Sequence, residues 1–178
     1  MSRFDDFQSA LENKVTFHGQ PSSYQRDAVA HILSGTNIPV EHAANLNAIH
    51  AGANIPTTGL YRRSDRSVLL RGNPDSFDRM PSMLQNYRRA AGHEIGHSRA
   101  HTLNPRQFDT MMGTAQGRGV IEAHAEDYAD KHVPGSYSSY DHLVRTQQPT
   151  SVTGFDSRSY RNARGPRYGN VDPRLTSF

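Results

Sequence analysis

Hydrophobic and polar positions change their spacing several times along the chain, and the first change lies near its beginning. Residues 1–34 predict two short helices. The second covers residues 24–33, where apolar residues recur at the spacing of a helix that is buried on one face. Its N-cap is Ser22 or Ser23, and Gly35 follows its end.

An alternating pattern follows and predicts β-strands. Residues 46–51 alternate apolar and polar positions, as a half-buried strand does. Residues 59–63 and 67–71 form two further runs, which a turn at 64–65 separates and a Gly-Asn-Pro sequence at 72–74 ends. These two runs predict a β-hairpin.

Helical spacing returns after the predicted hairpin. One long helix is predicted from Pro81 to about residue 101, because apolar positions recur every three or four residues. Asn104-Pro105 and three nearby glycines then predict a loop. A second helix is predicted from about Val120 to His132, followed by Pro134-Gly135.

The last quarter of the chain differs in composition from the rest. Residues 135–178 are rich in Ser, Gly, Arg, Tyr and Pro and poor in aliphatic residues, so burial offsets little of their ordering entropy. We predict a largely extended or disordered tail over 135–178 and one folded domain over 1–134. The fold class is α+β, predominantly helical, with a small sheet that precedes the long helix.

The overall composition excludes several classes of protein. The chain has 178 residues and a mean hydropathy of −0.76, which fits one small polar domain. No apolar run approaches the roughly 20 residues that a membrane span requires. Charged residues occupy the start of the chain where an export signal would be apolar, and we therefore expect synthesis in the cytoplasm. The chain has no Cys, which excludes disulfides, thiol nucleophiles and cysteine-based zinc modules.

The net charge of +3 is concentrated near the end of the chain. Residues 1–134 contain 14 basic and 14 acidic side chains, whereas residues 135–178 contain six Arg and three Asp. Arg alternates with aromatic residues in 158–168, as it does in segments that bind nucleic acids. The excess is modest, so a nucleic acid is not the partner that we expect first.

The chemistry-bearing motif lies in the second half of the long predicted helix. In His93-Glu94-Ile95-Gly96-His97 the two histidines are four positions apart, so that both imidazoles can bind one ion while Glu94 flanks it. The expected number of such patterns arising by chance in one chain of this composition is roughly 0.015. This arrangement is typical of a catalytic zinc site, and we predict Zn2+ as the cofactor.

A third ligand is needed, because a catalytic zinc usually takes three protein ligands and leaves one position for water. His101 lies about 12 Å from His93 along the helix axis and is too far away. Glu122 and Glu126 lie one turn apart on the second predicted helix. We predict that Glu122 completes the metal site and that Glu126 accepts a hydrogen bond from the outer nitrogen of a ligating histidine. His124 projects to the other side of that helix.

Together, the motifs at 93–97 and 122–129 resemble those of the gluzincin metallopeptidases. The motif residues are most similar to those of the zincin toxins related to the anthrax lethal factor catalytic domain. The resemblance covers about residues 46–134. It implies a zincin-like fold, in which the edge strand of the sheet pairs with an extended substrate.

The resemblance also implies a function for each residue of the two motifs. His93, His97 and Glu122 would be the zinc ligands, and Glu94 the general base. Glu126 would be the carboxylate behind one of the histidines.

One part of the family pattern is missing from this chain. The family commonly supplies a Tyr or His that stabilises the oxyanion, and in the lethal factor group a Tyr precedes the glutamate ligand. There is no Tyr between His97 and Glu122. The substitutes that the sequence offers are Arg118, Tyr137, Tyr140 and His142, and the stabilising residue stays unassigned.

These observations predict a zinc-dependent endopeptidase that acts on a protein or peptide substrate. The resemblance suggests a toxin or effector that enters a target cell without a signal peptide. The alternatives are a regulatory protease with one dedicated substrate and a non-catalytic zincin-like binding module, whose basic tail contacts a protein or nucleic acid. The sequence does not predict the oligomeric state.

Overall fold

The structure is a computed structural model, and it describes residues 15–34, 58–64, 66–73, 81–146 and 154–165. Within these ranges the chain forms three strands and six helices. The strands are β1 (Val15–His18), β2 (Gly59–Arg62) and β3 (Ser67–Arg71). The helices are α1 (Ser23–Ser34), α2 (Pro81–Leu103), α3 (Pro105–Met112), α4 (Ala115–His132), α5 (Ser139–Thr146) and α6 (Ser157–Arg164). This mostly helical arrangement with a small sheet is of the α+β class.

The three strands form one sheet in the order β1-β3-β2. The predicted hairpin is confirmed, since β2 and β3 are antiparallel and Gly59 lies opposite Leu70. β1 runs parallel to β3, with Val15 opposite Val68. Helix α2 packs on this sheet. Gly59 at the start of β2 lies close to the Glu94 side chain, so β2 is the strand next to the histidine motif.

The helical prediction for the start of the chain was wrong for Val15–His18, which forms β1. Pairing with β3 buries the side chains of Val15 and Phe17 completely or nearly so, and this tertiary contact outweighs the local pattern. The rest of that predicted helix, at 1–14, and the predicted strand at 46–51 lie outside the described residues.

Helix α1 is confirmed, and so is its N-cap. The Gln25 backbone N–H donates to Ser22 Oγ over 3.2 Å, and the Ser22 N–H donates to Gln25 Oε1 over 3.1 Å. This reciprocal pair is a capping box, which satisfies two donors that the helix would otherwise leave unpaired. The apolar face of α1 packs with the sheet and α2 in the main core.

The long helix α2 is also confirmed, and a glycine lets α4 approach it closely. A Cβ atom on Gly96 would lie 3.0 Å from Tyr128 Cβ and 3.1 Å from Ala125 Cα. Only a residue without a side chain fits this contact without a shift of its neighbours. The glycine inside the histidine motif therefore brings α4 against the face that carries the histidines.

The loop prediction between the two motif helices was wrong for most of its length. Asn104 caps α3 by accepting from the Gln107 N–H, with Pro105 at the first helical position. Helix α4 then begins at Ala115 rather than near Val120. Its glycines serve close packing: a Cβ on Gly117 would lie 2.1 Å from Met111 O, closer than any real contact.

The prediction of an extended or disordered tail was wrong for the residues of α5 and α6. Phe155 and Tyr160 are buried in a second core with Ala123 of α4 and Val144 of α5. The area that these aromatic rings bury compensates for the lack of aliphatic residues. Arg164, in the segment that suggested nucleic-acid binding, is buried as well. Residues 147–153 and 166–178 lie outside the described residues. None of the helices in the described part of the chain is both long and apolar enough to cross a lipid bilayer.

Candidate metal centre

Helices α2 and α4 bring together three groups that could hold a metal ion: His93, His97 and Glu122. The two histidine Nε2 atoms are 3.0 Å apart. Glu122 Oε2 lies 3.1 Å from Nε2 of His93 and 3.4 Å from Nε2 of His97. Ligands at about 2.0–2.1 Å from a tetrahedral ion are about 3.3 Å from one another. The donor atoms therefore have the spacing and the chemistry that a zinc-sized cation requires.

The electrostatics of this group favour a cation. Burial opposes charge on His93, but its hydrogen bonds with Glu122 and Glu126 outweigh burial and raise its pKa well above 6.5. Burial likewise would raise the pKa of Glu122, but the adjacent imidazoles of His97 and His93 lower it well below its ordinary value. A half-buried carboxylate that stays ionised beside two imidazoles provides the negative charge that a metal ion would neutralise.

The two histidines are oriented in different ways. The outer nitrogen of His93, Nδ1, lies 2.8 Å from Glu126 Oε1, which directs Nε2 towards Glu122. The outer nitrogen of His97 is buried and has no hydrogen-bond partner within the described residues. The His97 ring instead packs against Tyr61, whose ring is stacked at 6.2 Å, and edge-on against Phe108 at 6.4 Å.

Glu126 is itself held by two further donors. Its Oε2 accepts hydrogen bonds from Arg89 and, over 2.6 Å, from Ser138 Oγ. Burial would raise the pKa of Glu126, but the hydrogen bond with His93 and the charge of Arg89 outweigh it and lower the pKa to about 2. Glu126 is therefore a buried carboxylate that stays ionised, because His93, Arg89 and Ser138 stabilise its charge.

Glu94 lies next to this group on the wall of a cavity of about 460 Å³. The cavity lining also includes His93, Tyr140 and Gly59. A Cβ on Gly59 would lie 2.8 Å from Glu94 Cγ, so the glycine at the start of β2 makes room for this carboxylate. Glu94 is half-buried and remains accessible from the cavity.

Among the four oxyanion candidates, the structure places Tyr140 beside the histidines. Its ring stacks on that of His93, with centroids 4.9 Å apart and planes 13° from parallel. Burial and the surrounding glutamates raise the pKa of Tyr140, so its hydroxyl keeps its proton. Arg118 instead donates to the carbonyl oxygens of Gly154 and Met112.

The other two candidates, Tyr137 and His142, make no hydrogen bond or ring contact with His93 or His97 among the described residues. Tyr137 is exposed at the rim of the cavity, and its ring packs against that of His142 at 5.8 Å.

Sequence reasoning missed two residues of the site, Arg89 and Ser138. Arg89 is one turn before His93 on the same helix face, and this spacing could have identified it. Ser138 lies in the segment predicted to be disordered, and nothing local in its sequence indicates a partner on α4.

His101 and His124, which the sequence analysis did not assign as metal ligands, lie apart from His93, His97 and Glu122. His101 Nδ1 is 2.7 Å from the hydroxyl of Tyr61, and His101 Nε2 is 3.5 Å from Asp109 Oδ1. His124 is exposed on the far side of α4.

Comparison with known proteins provides no relative on which to base a function. No protein-family model matches the chain, and neither a curated protein nor a solved structure matches it. The resemblance to the gluzincins therefore rests on the two motifs and on the arrangement of their side chains.

Proposed function

We propose that this protein is a zinc-dependent endopeptidase of zincin-like fold. The observation that carries the proposal is the convergence of His93 Nε2, His97 Nε2 and Glu122 Oε2, beside a cavity that Glu94 lines. Three protein ligands with an adjacent carboxylate are typical of a catalytic zinc site, whereas structural zinc sites usually have four protein ligands and are closed.

The three ligating side chains would hold zinc, which when bound acts as a Lewis acid that activates water and polarises a carbonyl group. Glu94 would accept the proton of the attacking water and later deliver it to the leaving amine. Its half-buried position beside the cavity suits a group that has to meet both the water and the substrate. Peptide bonds are the substrate class that this pairing of a metal with a carboxylate base favours.

Tyr140 is the group we assign to the developing oxyanion. Its hydroxyl remains protonated, has no hydrogen bond within the described residues, and belongs to a ring that lines the cavity. A protonated donor aimed at the carbonyl oxygen stabilises the negative charge that forms there. Ser138 positions this residue, because its Oγ accepts from the Asp141 N–H at the start of α5.

The alternative of a non-catalytic module with a nucleic-acid-binding tail finds less support. Arg164, one of the basic residues that suggested it, is 3% exposed and bonded to Asp127 and Asp141. A side chain that neutralises internal carboxylates is not free to bind phosphates. The action as a toxin or effector in a target cell remains a prediction from the motif resemblance.

The deciding experiment measures metal content and peptide cleavage on the same purified samples. Wild type and Glu94→Gln should each contain about one zinc, while His97→Ala should contain none. Glu94→Gln should reduce cleavage of a peptide library by about 10²–10⁴-fold. His124→Ala is the matched control, since His124 is exposed and should affect neither quantity.

The outcomes separate the hypotheses. Zinc bound without cleavage in wild type would support the binding module over the peptidase. A wild-type protein that binds no zinc, even after incubation with it, would contradict the metal centre and the peptidase together.

A further inference from the structure

Arg89 lies one helical turn before His93 and faces the same way, but it does not touch the metal-binding atoms. Its side chain is 6% exposed. One terminal nitrogen donates to Glu126 Oε2. The other donates to Asp130 Oδ1 over 2.7 Å and to Ser136 Oγ over 2.8 Å. One guanidinium group therefore ties α2 to two carboxylates of α4 and to the turn before α5.

The contact with Glu126 is the one that reaches the metal centre. Glu126 uses one oxygen for His93 Nδ1 and the other for Arg89 and Ser138. Without Arg89, the hydroxyl of Ser138 would be the remaining donor to Oε2 among the described residues. A buried carboxylate that loses its cationic partner is strongly destabilised in its position and moves towards solvent or another donor.

This displacement of Glu126 would release His93. A ligating histidine keeps its tautomer and its ring angle because its other N–H is bound to an acceptor. A displaced Glu126 no longer offers a positioned acceptor for Nδ1–H, so Nε2 of His93 would be held less well towards the ion. The Glu94 side chain, which follows His93 on α2, would keep its own contacts.

We propose that Arg89 is a positioning residue of the metal centre, which acts through Glu126 on the orientation of His93. The inference rests on the proposed zinc site and concerns metal affinity rather than the identity of the substrate. This role differs from a purely structural one, which Arg164, the second buried arginine among the described residues, illustrates. Arg164 bonds to Asp127, Asp130 and Asp141 but to none of the residues that contact the histidines.

The test measures the zinc dissociation constant by competition with a chelator, on folded protein as judged by circular dichroism. Arg89→Met should weaken zinc binding by about 10–100-fold. Arg89→Lys, which keeps the charge, should recover part of that loss. Arg164→Met is the control, because Arg164 shares Asp130 with Arg89 but has no bond to Glu126 or His93. It should lower the unfolding temperature but change the zinc dissociation constant of the folded protein less than about threefold.

A double-mutant cycle shows whether Arg89 acts through Glu126. In a Glu126→Gln background, Arg89→Met should weaken zinc binding by much less than it does in wild type, because the intermediary is gone. The visible spectrum of the cobalt-substituted protein provides a second readout, and Arg89→Met should alter its intensity while Arg164→Met should not. Additive effects of the two substitutions, or zinc affinity unchanged in Arg89→Met, would overturn the inference.

These outcomes are separate from the failure of the proposed function. If wild type binds zinc but cleaves no peptide, the peptidase is rejected while the affinities still decide the effect of Arg89. If wild type binds zinc and cleaves peptides but Arg89→Met binds zinc equally well, only the inference about Arg89 is rejected. If wild type binds no zinc, both are rejected.

Discussion

Helix α2 carries three histidines that look alike in sequence but form two clusters in the structure. One is the pair His93 and His97, and the other is His101 with Tyr61 and Asp109. His93, His97 and His101 follow one another at four-residue spacing, and all three are buried. The first two face Glu122 of α4, whereas His101 faces the Tyr61 hydroxyl of β2 and Asp109 of α3. The element packed against each turn of the helix, rather than the spacing of the histidines, therefore separates a candidate metal-binding pair from a hydrogen-bonded core histidine.

The largest expected effect breaks one cluster and spares the other. His97→Ala removes one of the three proposed metal ligands, and we expect the protein to purify without zinc. His101→Ala, one turn farther along the same helix, should retain about one zinc per chain. Elemental analysis of both variants checks this, and loss of zinc in His101→Ala alone would reverse the assignment of the two clusters.

The two tyrosines beside these histidines provide the next comparison. Tyr140 stacks on His93 at the cavity, whereas Tyr61 stacks near His97 with its hydroxyl turned to His101. Tyr140→Phe should lower kcat by about 10²–10³-fold, as removal of an oxyanion donor does. Tyr61→Phe should change kcat much less. Peptide cleavage under saturating substrate checks the pair, and equal effects of the two substitutions would contradict the assignment of Tyr140.

Two glycines of α2 show how much the metal centre depends on the approach of α4. Gly96→Ala would place Cβ 3.0 Å from Tyr128 Cβ and should destabilise the fold by about 1–3 kcal/mol. Gly92→Ala would make an ordinary contact of 3.4 Å with Ala129 Cα, and the better helix propensity of Ala should stabilise by up to about 1 kcal/mol. Urea unfolding of both variants measures the difference, and a Gly96→Ala variant as stable as wild type would show that α4 can shift freely.

The smallest expected effect is a pH dependence that belongs to the His101 cluster. Burial lowers the pKa of His101 from 6.5, against the opposing charge of Asp109. The unfolded chain therefore takes up a proton at a higher pH than the folded chain does. This contribution to stability is fully present above about pH 6.5 and is lost as the pH falls towards the lowered pKa.

Substitution of this histidine checks the sign of the effect. His101→Gln, which cannot be protonated, should lose less stability than wild type when urea unfolding is compared at pH 7.5 and pH 5. A variant that is as sensitive to acid as wild type would locate the titrating group elsewhere.

Much of the fold could be predicted where a contact lies within one element or between neighbours along the chain. The capping box of Ser22 and Gln25 and the hairpin β2–β3 are of this kind, and both follow from local hydrogen bonds. Strand β1 could not be predicted, because its partner β3 is about 50 residues away along the chain. Its four residues become a strand only when Val68 and Leu70 are in place.

The glycines of α4 and the last quarter of the chain misled the prediction for a related reason. Gly117 and Gly119 look like helix breakers, but they lie where Met111 and Asp156 approach the helix backbone. In the same way, the segment after Gly135 is poor in aliphatic residues and still folds. Tyr160 supplies part of the buried area there that aliphatic side chains supply elsewhere.

For the candidate site, the spacing of His93, Glu94 and His97 depends on the geometry of a single helix, so the local sequence was enough to predict that two imidazoles lie side by side. Their partners come from other elements: Glu122 and Glu126 from α4, and Tyr140 from α5. Those positions depend on how closely two helices pack and on which buried charges find a counterion. Both are properties of the assembled core, because close packing and charge compensation act between residues that are distant along the chain.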